Sequence, residues 1–184
     1  MTNRSRVEVE EQARRLLDGQ SVESAPVPVQ RLAESLGYRV IFRYFNDGDL
    51  SGTVIQDAHK SVTIGINTLH ASVRQRFSIA HEIGHALMHL GKGEDLIVDP
   101  PTRSLFNRDG RASLGEDPRE IEANQFAAEL LMPRYLIAQV AEELLGKSSQ
   151  FSTGSLVNAL AQRFDVSSQA MKFRLVNLGV IEPE

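Results

Sequence analysis

The segment from Ser72 to Leu90 is the part of this 184-residue chain that most restricts the fold. A helix that is apolar over most of its surface is predicted to lie buried at the centre of a domain. His81, Glu82 and His85 interrupt the apolar surface, and burying them is costly unless they are paired or bound. The apolar and small residues follow two neighbouring rows at helical spacing, Phe77, Ala80, Gly84 and Leu87 on one and Ile79, Ile83, Ala86 and Leu90 on the other.

The three polar residues of this segment have the spacing of a metal site, HExxH. On a helix, His81 and His85 lie one turn apart, with Cβ atoms roughly 5–6 Å from each other. Both imidazoles can therefore reach one zinc ion at roughly 2.0–2.1 Å. Glu82 lies about 100° further round the helix, where it can accept a proton from metal-bound water. The other interpretation is a surface helix with two solvated histidines, which the apolar surroundings disfavour.

Zinc in a hydrolase commonly has three protein ligands, and the composition restricts the third. The chain has no cysteine, so this ligand must be a histidine, an aspartate or a glutamate. His89 lies about 12 Å along the helix axis from His81, so it cannot easily share the metal. It is a neighbour of the ligands, a substrate contact or simply a polar residue at the helix end. Glu120 and Asn124 lie four apart on a later helix, so the carboxylate can bind the metal while the amide orients a ligand histidine.

Two alternatives stay open for this later helix. Glu120 follows Asp117-Pro118, a helix start at which the helix dipole alone can favour an acidic residue. Glu122 is the rival acid, and it lies about 200° from Glu120, so both cannot face the metal. The position of Asn124, one turn after Glu120, favours Glu120. The predicted site then consists of the metal ligands His81, His85 and Glu120 and the catalytic base Glu82.

The rest of the chain predicts an α+β fold with a small sheet. Helices are predicted at 7–17, 29–36, 72–90, 118–132, 134–145, 155–163 and 167–178. Three short strands at 38–45, 52–56 and 61–67 have tight connections, which are typical of an antiparallel meander. We expect this three-stranded antiparallel sheet to pack on the central helix. The long segment 93–117 could form a flap over the cleft or an insertion.

Composition limits where the chain acts and what it binds. Lys plus Arg total 20 and Asp plus Glu total 24, so the formal charge is -4 and gives no general attraction to nucleic acid or anionic membranes. Residues 1–12 lack the apolar region of a secretory signal, and no apolar run approaches the roughly 20 residues of a membrane helix. We therefore expect a cytoplasmic protein.

The chain is predicted to divide into a domain at 1–146 and a helical subdomain at 147–184. The subdomain resembles a helix-turn-helix, with two short helices and a tight turn between them. Its second helix offers only Lys172 and Arg174 as cations, so direct DNA binding is not expected.

Two segments carry the most specific pattern in the chain. They are FSIAHEIGHALMH at 77–89 and EIEANQFAAELLMP at 120–133. Together they resemble the ImmA/IrrE metallopeptidases, and the resemblance extends over nearly the whole chain. The arrangement is also similar to gluzincins, in which HExxH is completed by a glutamate and a polar residue four positions later. The resemblance implies a zincin-like fold and an endopeptidase with one zinc ion per chain.

The resemblance also implies a substrate class and a regulatory role. The expected substrate is a bacterial or phage helix-turn-helix repressor of the XRE type. Its cleavage would relieve repression of genes of a prophage, another mobile element or a stress response, which is a form of transcription regulation.

Several parts of the expected peptide hydrolysis stay open at this point. The tetrahedral oxyanion needs a second donor besides the metal, for which Tyr135, His59, His70 and His89 are candidates. Manganese or iron(II) also suits a site of two histidines and a carboxylate. The alternative function is a regulator that binds DNA or a repressor through the C-terminal subdomain without proteolysis. A metal-bound but inactive scaffold is the third possibility.

Overall fold

The computed structural model describes residues 4–47, 49–90, 96–98, 117–147 and 152–183, and in them helices combine with one small sheet. Among the described helices, none combines the length and the hydropathy that crossing a bilayer requires. The fold is α+β, as the sequence predicted. The described helices are α1 (Arg6–Gly19), α2 (Val29–Ser35), α3 (Ser72–Met88), α4 (Pro118–Leu131), α5 (Arg134–Lys147), α6 (Thr153–Phe164) and α7 (Ser168–Asn177), and the strands are β1 (Arg39–Arg43), β2 (Gly52–Gln56), β3 (Val62–Asn67) and β4 (Leu96–Val98).

Helix α1 begins with a capping box. Ser5 Oγ accepts the Glu8 main-chain N–H at 3.3 Å, and Glu8 Oε2 accepts the Ser5 main-chain N–H at 2.7 Å. These bonds satisfy donors that the start of a helix cannot pair internally. The apolar face of α1, including Val9, Ala13 and Leu17, is buried, and the helix packs against α4. The N-terminal segment is thereby held beside the second helix of the predicted site.

The sheet is mixed, and the predicted antiparallel meander is wrong. The strand order is β1-β3-β2-β4, with β1 parallel to β3 and with β2 antiparallel to both β3 and β4. The three predicted strands exist, but the first pairs with the third rather than with the second. The fourth strand, β4, falls within the segment 93–117, which was predicted to be a loop. The other residues of that segment as far as 116 lie outside the described residues.

A buried asparagine stabilises the connection between β1 and β2 in this arrangement. The Asn67 amide group donates to the Asp47 carbonyl at 3.2 Å and to the Leu50 carbonyl at 2.7 Å. Its Oδ1 accepts the main-chain N–H groups of Phe45 at 3.4 Å and Leu69 at 3.1 Å. Asn67 ends β3, so these bonds hold the connection between β1 and β2 across the end of β3. The second strand therefore lies on the far side of β3 from β1.

Helix α3 is buried over most of its length. Every residue from Ser78 to Ala86 is buried, and the helix ends at Met88, two residues before the predicted end. It contacts β2, β3 and α4. Gly84 permits the close approach of α4, because a Cβ atom there would lie 3.1 Å from Phe126 Cδ1 and 3.3 Å from Ala123 Cα. This contact brings together the two helices that carry the candidate ligands.

The C-terminal helices share the hydrophobic core of the other elements, and Phe164 of α6 is fully buried in it. Arginines connect these helices to α3 and α4. Arg76 of α3 donates to the Asp165 carbonyl at 3.1 Å, in the turn between α6 and α7. Arg174 of α7 donates to the Met132 carbonyl at 3.0 Å, directly after α4. The division at residue 146 and the helix-turn-helix character of the C-terminal part stay predictions.

Candidate metal centre

Three donor groups from α3 and α4 meet at one point. His81 and His85 lie one turn apart on the buried part of α3, and Glu120 lies in the first turn of α4. The Nε2 atoms of His81 and His85 are 2.9 Å apart. Glu120 Oε2 lies 3.3 Å from His81 Nε2, and Glu120 Oε1 lies 3.1 Å from His85 Nε2. The structure therefore brings the three predicted ligands together.

The spacing of these donor atoms fits a four-coordinate divalent ion. In a tetrahedral site with bonds of roughly 2.0–2.1 Å, the ligand atoms lie roughly 3.3 Å from one another. The two imidazole nitrogens are 2.9 Å apart, and each lies close to that value from a different oxygen of Glu120, at 3.1 and 3.3 Å. Two imidazoles and a carboxylate form a donor set suited to several divalent metals. The residues present fit a metal ion, and three ligands leave one coordination position for water or substrate.

Asn124 fixes the orientation of the His81 ring. Its Oδ1 lies 3.0 Å from His81 Nδ1, and both side chains are buried. An amide oxygen can only accept a hydrogen bond, so Nδ1 carries the proton and donates it. The lone pair of Nε2, the nitrogen that faces Glu120, is then the one available to a bound metal ion. This arrangement gives Asn124 the contact that its position one turn after Glu120 predicted.

The protonation states of the ligands also suit a metal ion. Burial lowers the pKa of His85, although the hydrogen bond with Glu120 opposes this shift. Burial acts to raise the pKa of Glu120, but the hydrogen bonds from His81 and His85 outweigh it and hold that pKa well below its usual range. A metal binds the neutral form of an imidazole and the ionised form of a carboxylate. His85 and Glu120 are therefore in their metal-binding forms at neutral pH.

The sheet determines where the carboxylate of Glu82 lies. Glu82 follows His81 on α3 and is fully buried. A Cβ atom on Gly52, the first residue of β2, would lie 2.6 Å from Glu82 Oε1, so a glycine there leaves room for the carboxylate. The sequence analysis did not select Gly52. An isolated glycine in a strand pattern marks a close approach of another group, and this signal could have pointed to it.

The family model described as the IrrE N-terminal-like domain, of the M78 peptidases, matches residues 33–176. The chain belongs to this IrrE-like family. It is also similar to the radiation response metalloprotease IrrE of Deinococcus radiodurans, with 34% identity over 110 residues. These residues are 60% of this chain and 29% of that relative, so the match spans less than a third of the relative's length.

Membership of the family confirms the metallopeptidase relationship that the two sequence motifs predicted. The matched range contains the whole of α3 and α4. It therefore includes the ligand candidates, Glu82 and Asn124, whereas the first 32 residues of the chain precede it.

Glu122, the alternative to Glu120 as third ligand in this IrrE-like chain, is hydrogen-bonded to the N-terminal segment. Its Oε1 accepts the Arg4 main-chain N–H at 2.8 Å, and its Oε2 accepts a bond from Arg4 Nη1 at 2.9 Å. His89 lies beside this pair, with its Nε2 3.9 Å from Glu122 Oε2 and its ring centroid 5.2 Å from that of His85. Burial lowers the pKa of His89 to about 4, so its ring is neutral at neutral pH. Arg4 was not predictable from the sequence, because a polar N-terminus contains no pattern that selects one residue.

Three of the four candidate oxyanion donors have other partners or positions. The Tyr135 hydroxyl donates to the Val22 carbonyl at 2.6 Å, so Tyr135 connects α5 to the segment that follows α1. His70 Nε2 lies 3.4 Å from the Leu50 carbonyl. His59 is exposed in the turn between β2 and β3. Of the four, His89 is the one whose ring lies against a ligand histidine, His85.

Proposed function

We propose that this chain is a zinc-dependent endopeptidase with one metal ion held by His81, His85 and Glu120. The observation that carries the proposal is the set of donor separations of 2.9–3.3 Å between side chains of two different helices. Uncompensated burial of two imidazoles and a carboxylate is costly, and a shared divalent ion accounts for all three. The family to which the chain belongs supports the peptidase activity.

The proposed reaction is hydrolysis of a peptide bond in a protein substrate. A bound divalent ion supplies Lewis-acid chemistry, which polarises the scissile carbonyl and lowers the pKa of a bound water. Glu82 accepts the proton of the attacking water and then passes it to the leaving amine, which is general base followed by general acid catalysis. Asn124 keeps the His81 ring in one tautomer and one orientation throughout. Glu82 is fully buried, and the low dielectric constant around a buried carboxylate strengthens its electrostatic action.

The proposed substrate is a helix-turn-helix repressor of the XRE type. Support comes from the resemblance of the two motifs to the ImmA/IrrE peptidases and from a relative named for a radiation response. Cleavage would separate the parts of the repressor and so release transcription of mobile-element or stress genes. Residues 147–184 either pack on the peptidase as a subdomain or provide a surface for the repressor.

The alternative is a regulator that acts through α6 and α7 without proteolysis, and the contacts of α7 argue against DNA binding. Arg174 was one of the two cations available on this helix. Its side chain is 3% exposed, and its guanidinium bonds to the Met132 carbonyl and to Glu129. A buried, paired arginine cannot neutralise DNA phosphates, on which nonspecific affinity depends. The residual alternatives are a repressor-binding protein and an inactive metal-bound scaffold.

A cleavage assay with the Glu82→Gln variant tests the proposal. The substrate to be tested is a purified helix-turn-helix repressor of the XRE type, and mass spectrometry maps the products. We expect one specific cut that a chelator abolishes and that added zinc restores. The Glu82→Gln variant should bind metal and fold normally but cleave roughly 10²–10⁴-fold more slowly.

Glu142→Gln is the matched control, because Glu142 is an exposed carboxylate on α5, and it should cleave at the wild-type rate. Cleavage that persists unchanged in the Glu82→Gln variant would refute the role of Glu82. A wild-type chain that binds the repressor tightly but never cuts it would favour the scaffold.

A further inference from the structure

Arg4 makes three hydrogen bonds that no part of the proposed reaction requires. Its main-chain N–H donates to Glu122 Oε1 at 2.8 Å, and its Nη1 donates to Glu122 Oε2 at 2.9 Å. Its Nη2 donates to the Met88 carbonyl at 2.8 Å. The Glu122 side chain is 6% exposed, so this ion pair is largely shielded from water on the acidic side.

The two groups that Arg4 connects lie at the ends of the metal-binding helices. Met88 is the last residue of α3, less than one turn after His85, and its carbonyl cannot be paired within the helix. A cation at this end also interacts favourably with the helix dipole. Glu122 lies in α4, two residues after Glu120. Arg4 thus joins the end of α3 to the beginning of α4 close to the point where the ligands of both helices meet.

The geometry of the metal centre depends on the separation of these two helices. Both histidines come from α3 and the carboxylate comes from α4, so a change in the helix separation moves Glu120 relative to both imidazoles. The contact at Gly84 restrains the middle of α3 against α4. The Arg4 bonds restrain the end of α3, where that contact does not reach. Residues 1–32 lie outside the range matched by the family model, so nothing in the family match assigns this role.

We propose that Arg4 is a positioning residue that sets the distance between α3 and α4 and thereby the affinity of the centre for its metal. The N-terminal segment is then part of the metal centre, and its release from Glu122 weakens metal binding. This inference rests on the proposed function, because it takes His81, His85 and Glu120 to be the ligands. It gives Glu122, which does not ligate the metal, a defined role as the buried partner of Arg4.

Metal affinity of the full-length Arg4→Gln variant tests the inference. Zinc affinity is measured by competition with a chromophoric chelator, and circular dichroism verifies that each variant is folded. We expect the dissociation constant for zinc to rise roughly 10- to 100-fold, as it does when groups that orient metal ligands are removed. Cobalt(II) absorption should change in the same variant, because the ligand geometry changes with the helix separation. The Glu122→Gln variant should show the same loss, and the double variant should lose no more than either single variant.

Arg15→Gln is the matched control, since Arg15 is an exposed arginine of α1 paired with Glu11 one turn away. Its zinc affinity and cobalt spectrum should equal those of the wild type. If Arg4→Gln does not fold, Arg4→Lys is measured against the same criterion, because lysine keeps the charge but cannot make the same set of bonds. Wild-type zinc affinity and an unchanged cobalt spectrum in the folded Arg4 variant would overturn the role of Arg4 alone. A wild-type chain that binds no zinc would overturn the metal centre itself.

Discussion

Substitution of Gly52 by alanine is the sharpest test of how the fold positions Glu82, the proposed catalytic base. Gly52 begins β2 and pairs with Ile66 of β3 in an ordinary antiparallel register, so the strand itself accepts an alanine. The new Cβ atom would lie 2.6 Å from Glu82 Oε1, 3.2 Å from Cγ and 3.3 Å from Cδ. The atom in closest contact is the end of a flexible side chain, so we expect the carboxylate to move and the backbone to stay.

The size of the effect follows from the size of the displacement. Ordinary contacts of a Cβ atom begin at 3.4 Å, so the Oε1 atom must move by about 0.8 Å from its position at 2.6 Å. A misplacement of about 1 Å in a catalytic group costs roughly 100-fold in rate. We therefore expect Gly52→Ala to lower kcat by roughly 100-fold, which corresponds to about 2.7 kcal/mol of transition-state stabilisation. Metal affinity should stay at the wild-type value, because the three atoms nearest to the new Cβ atom all belong to Glu82 and not to a proposed ligand.

The assay is the initial rate of repressor cleavage at saturating substrate, with zinc content and thermal midpoint measured on the same preparations. Gly146→Ala is the control, because a Cβ atom there meets nothing within 4 Å. A Gly52→Ala variant with the wild-type kcat would show that the reaction does not depend on the observed position of Glu82. A fall in zinc content together with a fall in kcat would show that the substitution acts on the metal ligands instead.

Three further changes test other contacts of the site. Asn124→Ala removes the acceptor for His81 Nδ1, so zinc affinity should fall roughly 10- to 100-fold in chelator competition. Asn124→Asp keeps an acceptor oxygen and should retain most of the wild-type zinc affinity. Wild-type zinc affinity in the alanine variant would contradict the orienting role of Asn124. Gly84→Ala places a Cβ atom 3.1 Å from Phe126 Cδ1, so the free energy of unfolding measured in urea should fall by about 1–3 kcal/mol. An unchanged free energy of unfolding would mean that α4 can move away from α3 without cost. The pKa of His89 is lowered from 6.5 to about 4 in the folded chain. As the pH falls, His89 is therefore protonated in the unfolded chain before it is protonated in the folded chain. The stability of the metal-free protein should thus fall as the pH falls from 6.5 to about 4. His89→Gln should reduce that slope in urea titrations, and an identical slope in both proteins would refute this assignment.

Local spacing made much of the site predictable from the sequence. The i, i+4 relation of His81 and His85 and the apolar rows around them predicted a buried helix with two inward imidazoles. The same relation between Glu120 and Asn124 selected the carboxylate that the structure places beside both histidines. Such relations are predictable because a helix determines the direction of side chains that are close in sequence.

Features that depend on distant partners were not predictable in the same way. The connection between β1 and β2 is held by bonds from Asn67, 17 and 20 residues later in the chain, and periodicity does not report such bonds. Glu122 and its partner Arg4 are 118 positions apart in the sequence. The helix pattern alone therefore indicated Glu122 only as an alternative metal ligand. Gly52 carried a general signal of close approach, but nothing local identified Glu82 as the group that approaches it.

Zinc titration of the wild type and of Glu120→Ala tests most directly whether the two helices form one metal centre. Equilibrium dialysis with metal analysis gives the stoichiometry and the affinity, and Glu142→Ala is the control for loss of an exposed carboxylate. We expect one zinc ion per wild-type and Glu142→Ala chain, and a loss of affinity in Glu120→Ala that exceeds about 100-fold. A Glu120→Ala chain that binds one zinc ion as tightly as the wild type would contradict the centre described here.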